Sequence, residues 1–112
     1  MKNKLINDRE FKKECEEYLS KLFGIIIKQR KFLEFNKSHT AFDNSLYYSC
    51  SFYAYGFLYK IKFIRILKLG PYAWVCERID KDGFIEDVEI GNTISEACEK
   101  LKKEIEEKED EK

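Results

Sequence analysis

The segment 46–69, LYYSCSFYAYGFLYKIKFIRILKL, is the richest β-forming stretch of the chain, filled with β-branched and aromatic side chains and interrupted only by Gly56. It is too long for one strand of ordinary length, about 5–6 residues. Gly56 therefore marks a bulge, a bend or a turn between two strands. Gly70-Pro71 ends the stretch. Tyr72 to Ile79 reads as the next strand, Asp80-Lys81-Asp82-Gly83 as a tight hairpin connection, and Phe84 to Ile90 as the return, stopped at Gly91.

Upstream, Asn36 to Ser45 is polar and rich in turn formers, and reads as a loop. Ile25 to Phe35 is a β-branched segment with Lys28, Arg30 and Lys31 mixed into both faces, which suits an edge strand or one that leaves the sheet. A helix is predicted over 8–23. Asn7 or Asp8 can cap it: Asn7 with Glu10 has capping-box spacing, and with Asn7 as cap Ile6 and Phe11 hold the staple positions; Phe11, Cys15, Tyr18, Leu19 and Leu22 form one stripe, and Gly24 follows. A second helix begins at Thr93, boxed with Glu96, and carries Ile94, Ala97, Cys98, Leu101 and Ile105 on one side. The expected fold is α+β: a two-layer sandwich with an N-terminal helix, a four- to five-stranded antiparallel meander, and a C-terminal helix packed on one sheet face. Residues 1–105 form the single domain, and 106–112, without an apolar residue, form a charged solvent-exposed tail.

The 112 residues are 44% apolar and 15% aromatic, enough for a real core and against wholesale disorder. No apolar run is long enough to span a bilayer, and acidic residues from Asp8 onward replace the apolar core of a signal peptide. The expected location is cytoplasmic, with Cys15, Cys50, Cys76 and Cys98 reduced.

Charge is distributed by block. Residues 25–75 hold thirteen of the seventeen aromatic rings and eight basic against two acidic side chains, whereas the last thirty-seven residues sum to −7 and the whole chain to zero. A basic, aromatic middle beside an acidic helical end describes a surface made for contact. The expected binding surface, for protein or nucleic acid, comprises Lys28, Arg30, Tyr47, Tyr53, Tyr55, Tyr59, Lys60, Lys62 and Trp74, with Tyr48 also able to stack. Against this stands the plain fact that strands favour aromatics and many will be core, Phe52, Phe57 and Phe63 first among them.

Other chemistry finds little footing. Ser38, His39, Thr40 and Asp43 include the residue types of a catalytic triad, but residues this close in one loop rarely take triad geometry. A His39–Cys50 dyad has no further support. No C-x-x-C, H-x-x-x-H or H-E-x-x-H spacing occurs, so a zinc site would have to gather four cysteines from four elements. In a calcium loop running into Asp80-Lys81-Asp82-Gly83, Arg78 would occupy a ligand position. Neither catalysis nor a metal, cofactor or small-molecule ligand is expected.

The run from Tyr72 to Ile105 resembles the small HicB-type antitoxins. The shared parts are a strand, a D-x-D-G hairpin, a returning strand, and Gly91-Asn92-Thr93-Ile94-Ser95-Glu96-Ala97 leading into an amphipathic helix. It covers about a third of the chain and lacks the proline-containing loop that those antitoxins place before the G-x-T segment. The helix–strands–helix order is similar to double-stranded RNA-binding domains, whose final helix starts basic; here Ser95-Glu96-Ala97-Cys98-Glu99 would repel phosphate. The function expected is a small non-catalytic protein-binding module. Inhibitors, antitoxins and immunity proteins, including phage or mobile-element proteins that act on a host defence or nucleic-acid enzyme, are of this kind. It would dock on a larger protein, or on a second copy of itself, through the sheet face and the 36–45 loop; single-stranded RNA or DNA on the same face is the alternative.

Overall fold

Asn7 starts the first helix. Its Oδ1 accepts the Glu10 N–H at 2.8 Å, its Nδ2 donates to Glu10 Oε1 at 2.9 Å, and α1 runs Asp8–Leu22. The computed structural model describes residues 5–22, 33–54, 57–68 and 70–110. The strands are β1 Glu34–His39, β2 Leu46–Ala54, β3 Phe57–Arg65, β4 Tyr72–Ile79 and β5 Ile85–Gly91, and α2 spans Ile94–Asp110. All five pair antiparallel in the order β1-β2-β3-β4-β5. Both helices lie on one face of this meander, giving the two-layer α+β sandwich that the sequence predicts.

The segment 46–69 resolves into two strands, with Ala54 opposite Phe57. The strand does not continue to Leu69: β3 ends at Arg65, and Ile66 to Lys68 enter a turn closed by the Gly70 N–H on the Leu67 carbonyl. The predicted loop 36–45 is shorter than its composition implies. Asn36 to His39 are strand, paired in register with Ser49, Tyr48, Tyr47 and Leu46. An edge strand with exposed side chains needs no apolar period, so composition did not reveal it. The Ile25–Phe32 part of the proposed β-segment, and Tyr55 and Gly56, lie outside the described residues. At the C-terminus the backbone stays helical to Asp110, past residue 105 where the sequence reading closes the domain.

Side-chain alternation assigns the faces. Tyr48, Cys50 and Phe52 on β2, Tyr59, Ile61 and Phe63 on β3, and Tyr72, Trp74 and Cys76 on β4 all turn toward the helices and are buried. From α1, the Phe11 ring stacks on Trp74 (centroids 5.6 Å, interplanar angle 7°) and meets Tyr48 at 5.4 Å. Phe63 lies 5.1 Å from Tyr72 and 4.9 Å from Trp74, so rings form a continuous layer under the helices. At the start of α2, Thr93 Oγ1 accepts the Glu96 N–H at 3.0 Å. Gly91 allows the close approach there: a Cβ would stand 2.8 Å from the Ala97 nitrogen.

The four cysteines are all free and all buried. Cys50 and Cys76 sit opposite Ile61 from either side, Cys15 from α1 makes side-chain contact with Cys50, and Cys98 from α2 does so with Cys76. Burial, then the neighbouring Cys50, pushes the Cys15 thiol well above the ordinary value of 9.0; the Cys98 hydrogen bond, then burial, does the same for Cys76.

Two expectations follow. The single tryptophan belongs to the core, so Trp74→Ala should remove about 3–5 kcal/mol of unfolding free energy in urea, and a loss below about 1 kcal/mol would place the ring at the surface. The raised thiols hold more protons in the folded than in the unfolded state at alkaline pH. Their contribution is complete below pH 9.0 and is lost as pH rises from there through the folded values. Urea titrations from neutral pH upward should show stability falling by up to about 1.4 kcal/mol per pH unit per thiol, and a Cys15→Ala/Cys76→Ala protein should show a flatter profile.

Candidate docking face

The face turned away from the helices is built from the alternate residues of each strand, and three of its transverse rows reach β5. The first reads Asn36, Ser49, Lys62, Val75, Ile90 from β1 to β5; the second Glu34, Ser51, Lys60, Glu77, Val88; the third, from β2, Tyr53, Leu58, Ile79, Ile85. Each row passes from polar on β1 and β2, or a single ring at Tyr53, to aliphatic on β5; β4 is aliphatic in two of them and carries Glu77 in the other, and lysines stand in the middle of two. Ile85, Val88 and Ile90 are exposed, as is Phe84 at the hairpin, 71% accessible. This outer face is therefore polar, then cationic, then aliphatic.

The sequence-predicted binding residues do not share one surface. Tyr53 is on the outer face and 78% exposed, and Tyr47 and Lys60 lie on it half-buried. Lys62 lies on it too, but its ammonium is held by Glu77 at 3.1 and 3.3 Å. Tyr59 and Trp74 require correction: at 0% and 5% exposure they belong to the ring layer beneath the helices, as does Tyr48, and none can stack on an external partner in this fold. Lys28, Arg30 and Tyr55 lie outside the described residues. Phe52 and Phe63 are core, and Phe57 packs against it, as their pattern predicts.

Alternation was the signal that could have separated these groups. Once Phe52 and Phe63 are taken as core, Tyr48 and Cys50 fall on the same side of β2 and Tyr59 and Ile61 on the same side of β3, leaving Tyr47, Tyr53, Lys60 and Lys62 outside. The aliphatic residues of β5 were missed because Ile85 and Val88 differ in parity. A register shift at Arg78/Ile79 inserts one residue into β5 and restores Ile85 to the side of Val88 and Ile90.

Among the described residues Glu77 is the one carboxylate buried on the outer face, 6% exposed and flanked on its own strand by Val75 and Ile79. A carboxylate so placed needs a partner, which Lys62 supplies across the strand pair. On the helix side, Arg78 is held between Glu86 at 3.1 Å and Asp87 at 2.6 Å and lies 4.3 Å from the Phe57 ring centroid.

The loop 40–45 shows no catalytic geometry. Asp43 Oδ1 accepts from Thr40 Oγ1, from the Ser45 hydroxyl at 2.6 Å and from the Ser45 N–H at 3.0 Å, while Asn44 takes a positive φ of 57°. The carboxylate thus fastens its own turn, and His39 stands exposed at the end of β1. In the hairpin, Asp80 Oδ1 accepts the N–H groups of Asp82 and Phe84, both at 2.9 Å, and Gly83 supplies the φ of 89° that the turn needs. Among the described residues, no three His, Cys, Asp or Glu side chains are grouped to hold a metal ion, and no helix is long and apolar enough to cross a membrane.

Comparison with known protein families, curated proteins and solved structures finds no match to this chain.

Removing one partner of the Lys62–Glu77 pair leaves the other charge on a largely aliphatic surface. Glu77→Ala should cost about 1–2 kcal/mol, less than for a fully buried pair because Lys62 keeps some contact with water. A double-mutant cycle with Lys62→Ala should return a coupling near 1 kcal/mol; additive losses would show that the two charges do not depend on each other.

Proposed function

We propose that this protein is a small non-catalytic protein-binding module that docks on a larger protein through the sheet face opposite its helices. The observation that carries the reading is the aliphatic side of that face, Ile85, Val88 and Ile90 exposed with Phe84 beside them, while the exposed Tyr53 stands across the sheet on β2. Contiguous apolar surface rimmed by polar groups marks interaction sites on soluble proteins. The reading replaces the aromatic surface expected from composition with an aliphatic one, and keeps Tyr47, Tyr53 and Lys60 at its border. Antitoxins, immunity proteins and mobile-element inhibitors that act on cytoplasmic enzymes are the class of protein this describes.

Single-stranded nucleic acid is the weaker partner for this surface. Base stacking needs exposed rings beside cations, whereas Tyr48, Tyr59 and Trp74 are buried and Lys62 is paired with Glu77.

The test is affinity capture from the native host at low salt, with wild type compared with Tyr53→Ala/Ile90→Lys. Both positions are exposed, so the variant should unfold within about 0.5 kcal/mol of wild type for each change. Wild type should retain a protein that the variant loses by at least about tenfold, or about 1.4 kcal/mol. Equal retention would remove the face from the interface. Recovery of nucleic acid that elutes steeply with salt would favour the other partner class.

A further inference from the structure

The aliphatic residues of the outer face end at a sheet edge. β5 pairs with β4 on one side, and among the described residues no strand pairs with it on the other. The direction of its peptide groups can be counted from the hairpin. The Asp80 N–H donates to the Phe84 carbonyl at 2.9 Å. Past the inserted residue, Arg78 faces Asp87, Cys76 faces Glu89 and Trp74 faces Gly91. Alternate antiparallel pairs exchange hydrogen bonds, so these pairs bond across the ladder while Val88 and Ile90 turn their N–H and C=O to the open side. The Ile90 carbonyl agrees with the count, because it accepts from Lys100 Nζ at 3.4 Å.

β5 also has a definite chemical pattern. Its outer-face side chains, Ile85, Val88 and Ile90, are aliphatic and exposed, and its remaining side chains before Gly91 are Glu86, Asp87 and Glu89. Arg78 meets two of these three carboxylates. The chain from Cys76 onward, which supplies β5 and α2, still sums to −7. An added strand would therefore place aliphatic side chains beside Val88 and Ile90 on one face and meet carboxylates on the other.

We infer that the open edge of β5 accepts a β-strand from a partner protein, an extended segment in which aliphatic residues alternate with lysine or arginine. The inference rests on the protein-binding reading above and gives it a docking mode, in which main-chain bonds supply affinity and alternate side chains supply selection. A second copy of this chain suits the edge poorly. Antiparallel self-pairing centred on Asp87 or Glu89 sets that carboxylate against itself, and centring on Val88 sets Glu89 against Asp87 twice; like charges directly opposite are destabilising. Lysine at an edge commonly guards against strand addition, but Lys100 meets the carbonyl of Ile90 at the far end and leaves the Val88 peptide group to the partner.

The test uses the full chain and a synthetic peptide of about seven residues that alternates valine with lysine, against a control that alternates valine with glutamate. Hydrogen exchange should slow at least about tenfold at the Val88 and Ile90 amides with the lysine peptide and not with the control. Val88→Pro removes an N–H that faces the open side, a change an edge strand tolerates. It should abolish this protection at the remaining β5 amides while the β4–β5 ladder persists. Glu89→Lys should weaken binding by at least about threefold. The inference is overturned if Val88→Pro binds as wild type does, if protection falls on β1 instead, or if the β5 amides become protected by raising protein concentration alone, which would make the occupant a second copy. A host protein captured by wild type and by Val88→Pro alike, but lost from Tyr53→Ala/Ile90→Lys, would retain the binding module and reject the strand addition. No captured protein at all would reject the module itself.

Discussion

Phe11 decides which side of this molecule is inside. It is the first large apolar residue of α1, set in place by the Asn7 cap one turn earlier, and its ring reaches strands that are not neighbours: Tyr48 on β2 and Trp74 on β4, with Phe35 of β1 at 6.3 Å. A strand's side chains alternate strictly, so fixing Trp74 and Tyr48 beneath a helix fixes every other residue of the sheet through the register. Cys50, Ile61 and Cys76 go inside with them, and Ser49, Lys62 and Val75 go outside. The exposed face follows from this choice of core, and so does the surface available to a partner.

The parts of the fold that were legible in the sequence are those in which chemistry is local. Asn7 with Glu10, Thr93 with Glu96, and Asp80 with Gly83 each satisfy backbone groups within four residues of themselves, so their residue types announce the structure directly. The Asn36–His39 part of β1 was not legible, because an edge segment of Asn, Lys, Ser and His owes its conformation to the ladder offered by β2 and not to its own pattern. Parity accounts for the candidate site. Composition puts rings and cations in the same segment, but adjacent residues in a strand point to opposite faces. Tyr59 and Lys60 are neighbours in sequence and lie on opposite sides of the sheet. A cluster in sequence is a cluster in space only along alternate positions.

The charge separation of the chain takes a different meaning once the faces are known. The basic middle places Lys60 and Lys62 on the outer face of the central strand, and the acidic end places carboxylates along β5 and α2. Among the described residues Lys62 meets Glu77, Arg78 meets Glu86 and Asp87, and Lys100 meets Glu96. What reaches the surface is a gradient across the sheet, with cations at its centre and anions at one edge, and a gradient of this kind orients an approaching partner before contact.

The aliphatic row on β5 sharpens that argument. An edge strand gains nothing for the fold by exposing Ile85, Val88 and Ile90, since none of them contributes to the core beneath the helices. Polar residues would serve equally well in the ladder and would guard the edge against unwanted pairing. β1, at the opposite edge, has that composition, with Glu34, Asn36 and Ser38 on its outer face. The two edges of one sheet thus differ in kind: both turn alternate peptide groups outward, but one is covered with polar groups in the usual way, and the other combines an apolar face with an acidic one. Stability does not call for that asymmetry, and the strand addition proposed above would use it.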